Sequence, residues 1–74
     1  MLELPIISGK EAIKIFGSLG FKIVRQKGSH AVLRKENKGC VIPIHKELAI
    51  GTLRSAIKQA GITIEEFIDA YKNR

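Results

Sequence analysis

The chain has 74 residues, enough for one domain (residues 1–74), and its 45% apolar, 5% aromatic composition is typical of a globular protein with an aliphatic core. A domain of this size buries only about 60% of the surface of its unfolded chain, so there is little room for an enclosed pocket and function is expected on an open surface. The formal charge of +6 favours a polyanionic partner, which can be a nucleic acid, an acidic membrane or an acidic protein.

The first predicted element is a helix that begins after Ser8. Ser8 and Glu11 have the spacing of a capping box, in which each side chain bonds the backbone of the other residue. An apolar stripe then recurs at helical spacing, formed by Ala12, Ile15, Phe16 and Leu19. Gly20 is expected to end the helix as its C′ residue.

Three strands are predicted next. The stretches FKIVRQK (21–27), HAVLRK (30–35) and CVIPI (40–44) are rich in β-branched and apolar residues. Gly28 and Ser29 suit a two-residue type II′ hairpin turn with glycine first. The second turn is ENKG (36–39), where Asn37 and Gly39 are expected to supply the turn conformations. Because Pro43 cannot donate to a ladder, the third strand should lie at an edge or end near it.

Two further helices complete the chain. Gly51 and Thr52 are expected to open the first of them, and Gly61 closes it; its buried face is Leu53, Ala56, Ile57 and Ala60. Thr63 and Glu66 repeat the capping-box spacing before a short C-terminal helix with Phe67, Ile68 and Tyr71 on its apolar side. The order α-β-β-β-α-α predicts an α+β fold, a three-stranded antiparallel meander with helices on one face and the other face open.

Positive charge is concentrated in the middle of the chain. Between Lys22 and Lys58 there are nine basic residues and only two acids, Glu36 and Glu47. If Lys27 pairs with His30, Arg25 pairs with Val32 and Ile23 with Arg34, because strand partners are fixed by the turn. Alternation then places two sets on opposite faces. The open face should carry Phe21, Ile23, Arg25, Lys27, His30, Val32 and Arg34. The helix-facing side should carry Lys22, Val24, Gln26, Ala31, Leu33 and Lys35.

His30 is the candidate catalytic residue of this open face. An imidazole can give or take a proton near neutral pH, and nearby cations can hold a phosphodiester and stabilise the charge that develops on it. RNA supplies its own nucleophile, the 2′-hydroxyl, so one well-placed acid or base suffices for cleavage without a metal. Ser29 is not expected to form a dyad with His30, since adjacent strand residues point to opposite faces. The structural alternative for His30 is an exposed polar residue at a hairpin corner.

Other site residues are weaker candidates. His45 follows the third strand and is interpreted either as a further RNA-binding group or as a loop residue. Cys40 is a lone cysteine, which excludes an internal disulfide, and with only His30 and His45 available it offers no zinc site. The sequence has no signal peptide or transmembrane run, so a cytoplasmic protein without a membrane partner is predicted. No metal or cofactor is expected.

The chain resembles the HicA (YcfA-like) family of toxin–antitoxin ribonucleases. The resemblance rests on SGKEAIKIFGSLGF (8–21), RQKGSH (25–30), IPIH (42–45) and GTLRSAIKQAGI (51–62), in this order and at these intervals. It implies a fold like a double-stranded-RNA-binding domain, with the segment TIEEFIDAYKNR (63–74) as a variable tail.

The resemblance also implies a function. Such a protein would be an mRNA-cleaving toxin neutralised by a HicB-type antitoxin. The family's catalytic histidine falls on His30 and its turn glycine on Gly28. The residues expected to bind RNA are Arg25, Lys27, Gly28, Ser29, Arg34 and His45. The alternatives are a non-catalytic RNA-binding module of the same fold and an adaptor for an acidic protein.

Overall fold

Three helices and three strands follow one another in the order α-β-β-β-α-α in the computed structural model, which describes residues 3–73. They are α1 (Gly9–Ser18), β1 (Lys22–Lys27), β2 (His30–Lys35), β3 (Lys38–Pro43), α2 (Ile50–Ala60) and α3 (Ile64–Lys72). The strands form one antiparallel sheet in the order β1-β2-β3. The predicted α+β fold is therefore confirmed.

Capping explains where α1 and α3 begin. The Ser8 hydroxyl accepts from the Glu11 backbone N–H at 3.1 Å, and the Glu11 carboxylate accepts from the Ser8 N–H at 3.4 Å. Thr63 and Glu66 form the same reciprocal pair before α3. Both predicted capping boxes are confirmed, and each satisfies two backbone donors that a helix start leaves unpaired.

Glycines end α1 and α2 as predicted. Gly20, just beyond the α1 cap, has φ of 98°, and Gly61 at the end of α2 has φ of 72°. The start of α2 differs slightly from the prediction, since the helix begins at Ile50 rather than at Gly51.

The third strand begins earlier than predicted. It starts at Lys38, because the turn before it contains only Glu36 and Asn37. Glu36, with φ of 57°, adopts the left-handed conformation that was expected of Asn37 or Gly39. The prediction for Pro43 is confirmed, since β3 is an edge strand and ends at this residue.

A β-bulge in β1 overturns part of the predicted face assignment. Lys27 pairs with His30 and Arg25 with Val32 as expected, but Ile23 pairs with Leu33 rather than Arg34 because the register shifts between Ile23 and Arg25. One extra residue in a strand moves every earlier residue to the other face.

The shift explains the burial at the start of the hairpin. Phe21, predicted on the open face, is only 4% exposed, whereas Val24, predicted to face the helices, is 58% exposed. Ile23 and Lys22 likewise exchange sides, since Ile23 now lies opposite the buried Leu33 and Lys22 lies opposite Arg34. The face assignments of Phe21, Lys22 and Ile23 were therefore wrong, and Val24 lies at the bulge itself.

The core lies between the helices and one face of β2 and β3. These strands contribute Ala31, Leu33, Cys40 and Ile42, all buried. The predicted stripes of α1 and α2 meet them, with Leu19 only half-buried. From α3, Phe67 packs on Phe16 with ring centroids 5.3 Å apart, and Phe16 also packs edge-on against Phe21 at 5.5 Å. Aromatic contacts thus pack α3 and the residue before β1 against α1.

Candidate nucleic-acid interface

The hairpin between β1 and β2 sets the position of His30. Gly28 has φ of 57°, and among non-glycine residues 3–73 only Glu36 has a positive φ, so Ser29 does not. A positive φ at the first central residue alone is the type II′ pattern, which favours glycine there. Lys27 and His30 therefore lie directly opposite each other at the two ends of the turn.

The surface of the sheet away from the helices, the open face, follows from the strand register. Three rows of opposed residues cross it. They are Lys27, His30 and Pro43; Arg25, Val32 and Val41; and Lys22, Arg34 and Gly39. Four predicted site residues, Arg25, Lys27, His30 and Arg34, thus share this face. All four are exposed.

The cations of the open face have no counter-ion among the described residues. Within residues 3–73, Arg25, Lys27 and Arg34 form no ion pair with a carboxylate. The His30 imidazole likewise accepts or donates no hydrogen bond to another described side chain. Exposed cations without a partner leave their charge available to an incoming phosphate. The arrangement therefore combines a free imidazole with an opposed ammonium group from Lys27.

The turn residues are held against the end of β3. The Ser29 carbonyl accepts from the Ile44 backbone N–H at 2.6 Å, which fixes the hairpin tip relative to the segment after Pro43. Gly28 and Ser29 are both exposed, so their backbone is accessible. The bond also restricts the motion of the hairpin end next to His30.

His45 directly follows Ile44, the residue bonded to the hairpin tip, and it lines a concavity beside the start of α1. Its carbonyl accepts from the Gly9 N–H at 2.8 Å, at the start of α1. The concavity has a volume of about 380 Å³ and is lined by Ser8, Lys10, Ile44, His45 and Lys46. His30 does not line it. The hydrogen bond between Ile44 and Ser29 thus links the segments that carry the two histidines, but the histidines do not share one site.

These features are accompanied by a family match. Residues 9–62 match the sequence profile of a family described as "HicA toxin of bacterial toxin-antitoxin". The chain belongs to the HicA toxin family. The match begins at the first residue of α1 and ends just after α2, so it contains the whole sheet and His30. No curated protein matches the chain.

Helix α3 lies outside the match, which ends at residue 62. This helix is nevertheless part of the core, since Phe67 is fully buried against Phe16. A helix that lies outside the family region therefore adds apolar burial to the domain, on the side away from the open face.

Sequence reasoning missed two residues of this HicA toxin's open face. Lys22 joins it because of the bulge, and Gln59 reaches its rim from α2, where the Gln59 side-chain oxygen accepts from the Val41 N–H at 3.4 Å. The sequence did carry a signal for the bulge, since regular alternation placed the apolar residues Phe21 and Ile23 on the open face. A shallow concavity of about 380 Å³ lies here, lined by Val32, Leu33, Arg34, Gly39, Cys40, Val41 and Gln59.

The cysteine of this HicA toxin is a core residue. Cys40 is buried opposite Leu33, and burial raises the pKa of its thiol to about 11 because the thiolate would lose its hydration. A neutral thiol is a poor nucleophile and a poor metal ligand. Among residues 3–73, no group of three or more His, Cys, Asp or Glu side chains is placed to hold a metal ion.

No helix within the described part of this HicA toxin is both long and apolar enough to cross a membrane.

Proposed function

We propose that this HicA toxin is an endoribonuclease that cleaves mRNA without a metal ion, in the cytoplasm, with His30 as general acid or base. The observation that carries the proposal is the exposed His30 imidazole, which lies opposite Lys27 on the open face and bonds no other side chain within residues 3–73. Family membership supports the toxin role, and the open face supports RNA as the target.

The chemistry needs one proton-transfer group beside a bound phosphate. As a base, His30 removes the proton of the RNA 2′-hydroxyl, whose oxygen attacks the adjacent phosphorus while the bond to the 5′-oxygen breaks. The products are a 2′,3′-cyclic phosphate and a 5′-hydroxyl, and water supplies the proton to the leaving oxygen. Lys27 stabilises the charge that builds on the phosphate oxygens.

The remaining cations extend the binding surface along the sheet. From His30 to Arg34 the strand advances about 13 Å, because each residue adds about 3.3 Å. Arg25, Arg34 and Lys22 therefore lie beyond the scissile phosphate and contact neighbouring phosphates of a single strand. Such contacts hold RNA regardless of sequence and weaken as salt rises.

The decisive experiment measures RNA cleavage with and without His30. Wild type, His30→Ala and His45→Ala are incubated with an unstructured RNA in excess EDTA. We expect wild-type cleavage, a loss of at least about a hundredfold in His30→Ala, the usual scale for removing a general acid or base, and a much smaller loss in His45→Ala. A 2′-deoxy substitution at the scissile nucleotide should block cleavage.

Each other outcome has a definite meaning. Equal rates for wild type and His30→Ala would remove His30 from catalysis. Cleavage that EDTA abolishes would show a metal-dependent reaction. If RNA binds but neither protein cleaves it, the non-catalytic RNA-binding module is the better description.

Neutralisation follows from the same surface. We propose that a HicB-type antitoxin covers the open face and places acidic groups against Arg25, Lys27 and Arg34. Charge complementarity would speed this association and make it salt-sensitive. RNA and antitoxin should then compete, and Lys27→Glu should weaken both complexes. His30→Ala should bind the antitoxin almost normally, since one imidazole contributes little to an interface of ordinary size. A ternary complex with unchanged RNA affinity would contradict the model of occlusion.

A further inference from the structure

The helix layer covers β2 and β3 but leaves β1 uncovered. All six residues of β1 are exposed, whereas the other two strands bury Ala31, Leu33, Cys40 and Ile42 on their helix-facing side. Ile23 and Gln26 pair with the buried Leu33 and Ala31 and therefore lie on the helix-facing side of the sheet. Ile23 is nonetheless 47% exposed. The helix-facing side of β1 thus extends beyond the helices, which leave its apolar residue Ile23 partly exposed.

A groove occupies the space between this overhang and α1. It has a volume of about 340 Å³ and is lined by Lys10, Ile13, Lys14, Ile23, Gln26 and Ile44. The three isoleucines come from α1, from β1 and from the segment after β3, and Ile13 and Ile44 are only partly buried against the core. Lys10 and Lys14, four residues apart on α1, are both exposed along the same groove. We call this groove, with its apolar floor and the ammonium groups beside it, the α1–β1 groove.

We propose that the α1–β1 groove binds an apolar segment of the antitoxin that carries Asp or Glu beside its apolar residues. This inference rests on the proposed function, because it takes the antitoxin as the partner. Apolar side chains would cover Ile13, Ile23 and Ile44, completing the core that β1 leaves open, and the carboxylates would meet Lys10 and Lys14.

Two other occupants fit the groove less well. RNA phosphates would find Lys10 and Lys14, but the groove offers the bases neither an aromatic ring nor an arginine to stack on, and its isoleucines would contact no phosphate. A second copy of this chain would bring another net charge of +6 against Lys10 and Lys14. Charge complementarity therefore favours an acidic protein segment.

The groove and the open face lie on opposite sides of β1. Ile23 and Gln26 share the side of Leu33 and Ala31, whereas Arg25 and Lys27 share the side of Val32 and His30. A segment in the groove therefore does not itself cover His30. It anchors the antitoxin independently of occlusion, so loss of the groove should reduce antitoxin affinity without changing RNA cleavage.

The test compares two exposed isoleucines. Ile23→Glu places a carboxylate in the groove, whereas Ile6→Glu alters an isoleucine that is 69% exposed and lines none of the described concavities. Calorimetry with the purified cognate HicB-type antitoxin should show at least about tenfold weaker binding for Ile23→Glu, the scale expected for a buried interface residue, and about unchanged binding for Ile6→Glu. RNA cleavage by both should match wild type.

A second variant covers the case in which Ile23→Glu fails to fold. Lys10→Glu/Lys14→Glu changes only exposed side chains and should also weaken the antitoxin complex, more at low salt than at high salt. Normal binding by both groove variants, or equal weakening by Ile6→Glu, would overturn the groove. Absence of cleavage by wild type would instead refute the proposed function, and the binding comparison would still decide the groove.

Discussion

The two edge strands of the sheet differ in what they contribute to the molecule. On β3, Cys40 and Ile42 are buried, Pro43 has no N–H, and the Val41 N–H is bonded by Gln59 from α2. On β1, no residue is buried and the chain bulges at Val24. Stability therefore resides mainly in the β2–β3 half, while β1 presents Arg25 and Lys27 to the open face and Ile23 to the groove. The exposed strand is available for partners because the fold does not depend on its side chains.

The largest expected contrast is in cysteine labelling. Cys40 should react with a thiol reagent at least about a thousandfold more slowly than a cysteine at position 23, if exposing it requires opening a core worth about 5 kcal/mol. The measurement compares wild type with Cys40→Ser/Ile23→Cys at pH 8. At this pH the raised pKa of Cys40 also keeps its thiol protonated. Comparable rates would mean that β3 opens as readily as β1.

Core truncation should separate the strands in stability. Ile42→Ala removes a fully buried side chain and should lower the free energy of unfolding by about 2–5 kcal/mol. Ile23→Ala, on exposed β1, should cost below about 1 kcal/mol. Urea unfolding measures both, and Ile42→Val, at about 0.5–1.5 kcal/mol, serves if Ile42→Ala does not fold. Equal losses at positions 42 and 23 would contradict the unequal roles of the strands.

The two hairpin turns have the same φ at their first residue, but one turn has glycine there and the other has glutamate. Gly28 and Glu36 each have φ of 57° at the first residue of a two-residue turn. Gly28→Val should destabilise by about 1–2 kcal/mol, the usual penalty of a left-handed conformation for a residue with a Cβ, and Glu36→Gly should relieve a similar strain.

Melting temperatures test both changes. Because Gly28 positions His30, its variant should also cleave RNA more slowly, whereas Glu36→Gly should not affect cleavage. A Cβ at Gly28 meets no atom within 4 Å, so a loss there would reflect backbone conformation rather than a clash. A Gly28→Val protein with normal melting and normal activity would refute the turn assignment.

The smallest expected contrast concerns the Val41 N–H at the β3 edge of the sheet, which is bonded by Gln59. Gln59→Leu removes the acceptor of the Val41 N–H and should cost about 0.5–1 kcal/mol, the net value of one hydrogen bond. Gln26→Leu on β1 should change stability by less than about 0.5 kcal/mol, since the Gln26 side chain makes no hydrogen bond within residues 3–73. Hydrogen exchange of the Val41 amide should speed up only in Gln59→Leu. Faster exchange in both variants would show that Gln59 has no specific role at this edge.

Local chemistry determined most of the fold from the sequence alone. Capping boxes, glycine stops, the Gly28 turn and helical periodicity act within a few residues, so Ser8, Gly20, Thr63 and the stripe of α2 could be placed without tertiary information. The pairing of Lys27 with His30 followed from the same turn, and with it the exposure of His30 beside cations.

The tertiary structure alone decided what lies around β1. Packing of Phe21 against Phe16 competes with regular alternation, and the chain accommodates it by bulging at Val24, which sends Lys22 to the open face and Ile23 to the other side. Whether a helix covers a strand depends on how α1 and α2 pack on the sheet, which no local pattern specifies. The α1–β1 groove and the contact of Gln59 with β3 arise from that packing, because they join residues far apart in the sequence.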